Sequence, residues 1–74
     1  QIHCFPNPFN SELKIESSEP ILNYKMVDLL GKLVQEGSFE NKRLNIKTDN
    51  LIQGIYFLSI ETTNGFVTKK IVKE

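Results

Sequence analysis

Among side chains able to do chemistry, this sequence offers one histidine, one cysteine, nine acidic residues and a scatter of asparagines. His3 is the only imidazole, and nothing around it forms a nucleophile–base pair. Cys4 is alone, so it closes no internal disulfide and supplies no set of metal ligands. Asp28, just ahead of Gly31, has the placement of a turn acid that accepts backbone N–H groups. Asn41, Asn45, Asn50 and Asn64 with Asp28 and Asp49 are oxygen donors of the kind Ca²⁺ takes, but they lack the dense alternating acids of a loop site. A nucleophile, a base and oxyanion donors cannot be assembled from this set. The sequence therefore predicts no catalysis, no cofactor and no metal. What remains is recognition, and two segments stand out for it. One is the stiff Pro6-Asn7-Pro8 near the start; the other is the basic run Lys69-Lys70-Ile71-Val72-Lys73-Glu74 at the end.

Both segments need a scaffold, and composition says which kind. A chain of 74 residues is one small domain, which buries only about 60% of the surface its unfolded form exposes. There is no alanine and no tryptophan, while Ile, Val and Thr are abundant, which favours strands over helices. Nine basic and nine acidic residues cancel, whereas nucleic-acid binders usually carry a basic excess. No apolar run approaches the ~20 residues of a membrane span. The chain has neither an initiator Met nor a signal peptide at its start, and it reads as a piece cut from something longer.

Periodicity then places the elements. "SELKIES" alternates with Leu13 and Ile15 on one side, the pattern of a half-buried strand. "SSEP" interrupts before "ILNYKMVD", which has Leu22, Tyr24 and Met26 on one face. Gly31 supplies the positive φ of a tight turn, and "KLVQEGSF" returns from Lys32. "ENKR" reads as a second turn, and "RLNIKT" alternates with Leu44 and Ile46 inward. "IYFLSIE" is the most apolar strand; Asn64-Gly65 marks a hairpin into "FVTKKIVKE". Six to seven short strands at regular spacing favour a sandwich or barrel.

One spacing goes beyond periodicity. Leu51-x-x-Gly54-x-Tyr56 matches a tyrosine corner, in which a Tyr hydroxyl bonds to upstream backbone and pins the crossing between two sheets. Leu58 and Ile60 continue the inward face of Tyr56. The expected fold is an all-β, immunoglobulin-like Greek-key sandwich of six to seven antiparallel strands. Proline fixes φ and donates no hydrogen bond, so Phe5-Pro6 and Asn7-Pro8 predict an extended crossing at a sheet edge. Phe5 and Phe9 are expected to dock on the core rim on either side of it. None of this explains why the motif is Pro-Asn-Pro.

Four pieces in order, "FPNPFN", "MVDLLGKLV", "LIQGIYFLSI" and "KKIVKE", resemble the C-terminal sorting domain, type A, of cargo exported by the type IX secretion system. The resemblance spans residues 5–74. The family's Pro-x-Pro falls on Pro6 and Pro8, and its Asp-Leu-x-Gly-Lys on Asp28, Leu29, Gly31 and Lys32. Its Leu-x-x-Gly-x-Tyr falls on Leu51, Gly54 and Tyr56, and its terminal basic strand on residues 69–73. Phe5 stands where Tyr is frequent, and Glu74 where a basic residue is frequent.

The resemblance implies an address label rather than a catalyst. It implies one sorting domain over residues 1–74, cut from a longer secreted protein and preceded by cargo in the same chain. The implied partners are an outer-membrane translocon and a surface sortase that removes the domain, with possible anchoring of the cargo. The implied route leads through the periplasm to the cell surface or medium, without insertion into the membrane and without nucleic acid. A different class of function stays open: an accessory module binding carbohydrate or protein through Phe57, Phe39 and Phe66. The expected state is a monomer or a strand-exchanged dimer.

Overall fold

A computed structural model describes the backbone of all 74 residues and every side chain except that of Phe39. The reading of Phe39 as part of a binding surface falls on a side chain outside the described ones. The chain forms five strands and no helix: β1 (Ile2–Phe5), β2 (Glu12–Asp28), β3 (Leu33–Lys47), β4 (Gly54–Thr62) and β5 (Gly65–Lys73). They make one sheet in the order β1-β2-β4-β5, with β3 also paired to β2, and every one of these pairings is antiparallel.

The segments expected as six to seven separate strands appear as these five because β2 and β3 each run through two of them. "SSEP" does not end a strand. Over this stretch β2 advances from Glu16 to Ile21 while β3 moves only from Arg43 to Asn41. That surplus is a bulge, which bends a strand without breaking it, and Pro20 sits in it, where a missing N–H does least harm. "ENKR" lies opposite and bends β3 in the same way. Asn41 Oδ1 accepts from the backbone N–H of Lys42 at 2.7 Å and of Arg43 at 3.4 Å, satisfying groups that the irregular ladder leaves free.

The bend has an architectural result. The first half of β2 pairs with β1 and with the second half of β3; its second half pairs with the first half of β3 and with β4. The sheet thus curls over itself, as the two-layer, all-β reading requires. Leu13, Ile15 and Ile46 from one layer meet Tyr24, Met26, Tyr56, Leu58, Ile60 and Ile71 from the other in a single core. Ile21 at the bend joins them, and Leu22 is only half-buried. The bulge between Ile21 and Asn23 hands the inward face from one residue to the next. Close approach is needed at Gly37, which lies opposite Tyr24: a Cβ there would sit 2.6 Å from the Tyr24 ring.

Candidate recognition site

Local chemistry builds the turns that hold the terminal strand in place. At the β2–β3 turn, Asp28 Oδ1 accepts the backbone N–H of Leu30 at 2.9 Å and of Lys32 at 3.0 Å, and Gly31 takes φ 82°. Asp28 is a turn acid, as its spacing predicts. At the other motif, the Tyr56 hydroxyl donates to the Ile52 carbonyl at 2.5 Å, with Leu51 packed on the core and Gly54 opening β4. This is the tyrosine corner. Ile52 itself is exposed, so in Tyr56→Phe its carbonyl regains water, and the expected loss is about 1 kcal/mol. Urea unfolding of the variant checks this: an unchanged midpoint would remove the hydroxyl from the fold's support.

The Pro-Asn-Pro segment is where the sequence reading stopped short. Residues 6–8 bend rather than run extended, and both X-Pro peptide bonds are cis. The bend carries the chain from β1, at one edge of the sheet, to the outer edge of β5. There the Asn7 side chain takes the place of a strand. Its Nδ2 donates to the Lys70 carbonyl at 3.3 Å, and its Oδ1 accepts the Val72 N–H at 3.0 Å. Phe9 continues the line with backbone bonds, Phe9 N–H to Val72 O and Glu74 N–H to Phe9 O, both at 2.8 Å. A primary amide presents one donor and one acceptor side by side, as a peptide group does. Proline on either side could not. The asparagine between the prolines supplies the pairing that the prolines withhold.

Phe9 anchors this arrangement. Its side chain is fully buried and meets the Tyr56 ring at 6.5 Å between centroids, tilted by 57°. Phe5 stays partly exposed. Of the two rings expected at the rim, one is core and one is surface.

The terminal strand divides by face. Ile71 is fully buried and Lys73 nearly so, while Lys70 and Glu74 are exposed, and Lys69 and Val72 are half-buried. Lys73 reaches the Asn10 carbonyl with its ammonium, and the Thr48 hydroxyl donates to the same oxygen at 2.8 Å. A buried cation needs such partners, and the alternating pattern alone gives no hint of them. Pro6, Asn7 and Pro8 are exposed. The Asn7 clamp places them beside Lys70 and Val72, so the two segments singled out for recognition form one surface. Asp28, Gly31 and Lys32 lie apart from it, in the β2–β3 turn, and Leu51, Gly54 and Tyr56 brace the start of β4.

Electrostatics adds little that is catalytic. Burial pushes the Cys4 thiol above its ordinary pKa, with Lys69 pulling weakly the other way, and burial likewise raises Tyr24. Neither shift makes a better nucleophile at neutral pH. Among the described residues no three acids, histidines or cysteines gather in a way that could hold a metal. The aromatic platform needed by a carbohydrate binder is also not assembled on β4 and β5. Phe57 stands opposite Lys70 and Phe66 opposite Glu61, which separates the two rings by about 13 Å along the strands.

The sequence model of a family described as "Secretion system C-terminal sorting domain" matches residues 3–74. No curated protein matches significantly. Among solved structures, the chain is similar to PorZ of Porphyromonas gingivalis, described as an essential bacterial surface component of the type IX secretion system. The TM-score is 0.76 at 11% identity, over 99% of this chain and 11% of that one. That likeness concerns the fold, and this chain spans about a ninth of the PorZ chain.

Proposed function

The chain belongs to the family of secretion system C-terminal sorting domains, and from that premise we propose that it is the address label of a type IX secretion substrate. In this reading residues 1–74 follow a cargo domain in a longer secreted chain and cross the inner membrane with it. They fold in the periplasm and are bound there by the outer-membrane translocon. A surface sortase then removes the domain, releasing the cargo or leaving it anchored. The label acts by being bound, not by catalysis.

The observation that carries the proposal is the clamp between the two ends of the chain. Asn7 holds the edge of β5, so Pro6 and Pro8 are displayed with Lys70, Val72 and Glu74 as a single rigid patch. Because Asn7 and Phe9 occupy the backbone groups there, a partner reads this patch through side chains. Ile71 and Lys73 contribute from beneath by fixing the strand, as Tyr56 and Asp28 fix the elements around it.

Residues 1–74 fused after a periplasmic reporter are expected to send the reporter out of a secretion-competent cell. Removal of residues 69–74 should leave it intact in the periplasm. That deletion also strips Ile71 from the core, so Lys70→Glu, which leaves the core untouched, accompanies it and should also reduce export. Export of the truncated fusion at the level of the full one would refute the assignment.

A further inference from the structure

The curl of the sheet leaves an unfilled place for one strand. β1 and β5 are the two ends of the strand order and do not pair with each other. A cleft of about 330 Å³ lies between them, lined by Ile2, Cys4, Lys69 and Lys70 among others. It continues, through Ile2 and Lys69, into a second of about 310 Å³ that reaches Phe66 and Val67.

Both walls of this cleft present unused backbone. Ser18 N–H donates to Gln1 O, so by the antiparallel register the odd residues of β1 bond to β2, and Ile2 and Cys4 aim their N–H and C=O groups away from it. On the opposite wall, Asn7 and Phe9 use outward groups of Lys70, Val72 and Glu74. The same alternation points those of Phe66 and Thr68, and the N–H of Lys70, into the cleft, where they take no partner among the described residues. Asn7 and Phe9 therefore begin the missing strand, and nothing continues it alongside residues 66–70.

β3 also has an outer edge, but that edge is bulged and carries Glu36, Glu40, Lys42 and Arg43, all exposed. Such features discourage pairing. The cleft edges carry no bulge, and the charge on the β5 edge is of one sign, which a partner of opposite charge can meet. On the inward side Ile2, Cys4 and Val67 are apolar or weakly polar and the half-buried Lys69 shares their face, while Lys70 lies on the outward face and Glu19 lines the far end.

We propose that the β1–β5 cleft accepts an extended segment of a partner protein as an added strand, apolar where it faces Ile2, Cys4 and Val67 and acidic where it meets Lys69 and Lys70. Backbone bonding to both walls would give affinity, and alternate side chains would give selectivity. Charge decides against a second copy of this chain as the occupant. Its β1 has no acid, and its β5 would set lysines against Lys69 and Lys70. The proposal stands on edge geometry and charge and not on the secretory reading, and it is tested without export.

The probes are two eight-residue peptides, one alternating valine and glutamate, the other valine and lysine, titrated into the isotope-labelled 74-residue chain. The glutamate peptide is expected to bind saturably, with shifts and slowed amide exchange at Thr68 and Lys70. The lysine peptide should bind about tenfold or more weakly. Thr68→Pro removes a donor that β4 does not use, and should abolish binding while the domain stays folded. Should Thr68→Pro unfold the chain, Lys69→Glu with Lys70→Glu serves instead, and is expected to exchange the preference of the two peptides. Equal binding of both peptides, no binding of either, or full binding by folded Thr68→Pro would overturn the proposal. So would concentration-dependent dimerisation that protects the same amides.

Discussion

Phe9→Ala is expected to remove about half of the domain's stability and to lower its melting midpoint sharply. The ring is fully buried and touches Tyr56, and removing such a side chain costs about 3–5 kcal/mol. A domain of this length has roughly 4–11 kcal/mol in total, at about 0.05–0.15 kcal/mol per residue. Phe9 also fixes the backbone that pairs with Val72 and Glu74, so its loss frees the outer edge of β5 as well as opening a cavity. Phe5→Ala is the comparison. That ring is partly exposed, and its removal should cost well under half as much. Circular dichroism melts of the two variants decide the matter. Similar midpoints would mean that Phe9 is not the anchor of the proline segment.

That contrast also marks how far the sequence could be read. Period-two patterns located segments of the longer strands, because a half-buried strand must alternate, but the four residues of β1 are too few to show one. Asp28 and Tyr56 were identifiable since each acts within a few residues of its partner, and short-range geometry leaves a fixed spacing. Merging of the segments into β2 and β3 was hidden. Pro20 and the polar run around Asn41 have the composition of turns, and only facing bulges convert them into bends. Phe5 and Phe9 looked alike, being symmetric about the prolines, yet the bend turns one inward and leaves the other out. Lys73 looked like a solvent-facing lysine because a basic side chain at a strand end usually is. Its burial depends on Asn10 and Thr48, both remote in sequence. The role of Asn7 was least legible of all. Its partners lie more than sixty residues away, and no periodicity or motif spacing encodes a side chain that imitates a backbone.

Asn7→Ala should separate the folded domain from the displayed patch. Both of its hydrogen bonds are solvent-exposed, so the global cost is expected to be about 1 kcal/mol and the core stays intact. The local effect is larger: Val72 loses the acceptor for its N–H, and its amide should exchange about tenfold faster or more. Phe9 still pins Val72 O and Glu74 N–H, so fraying centres on the stretch between Lys70 and Val72. For a partner that reads side chains held in register, this loosening blurs the relation of Pro6 and Pro8 to Lys70. Export of a reporter carrying Asn7→Ala should therefore fall far more than its stability does. A partner that instead captured a loose, extended terminus would respond in the opposite direction, and export would rise. The sign of the change thus distinguishes a folded address from a linear one, and unchanged export alongside faster Val72 exchange would show that the clamp serves the fold alone.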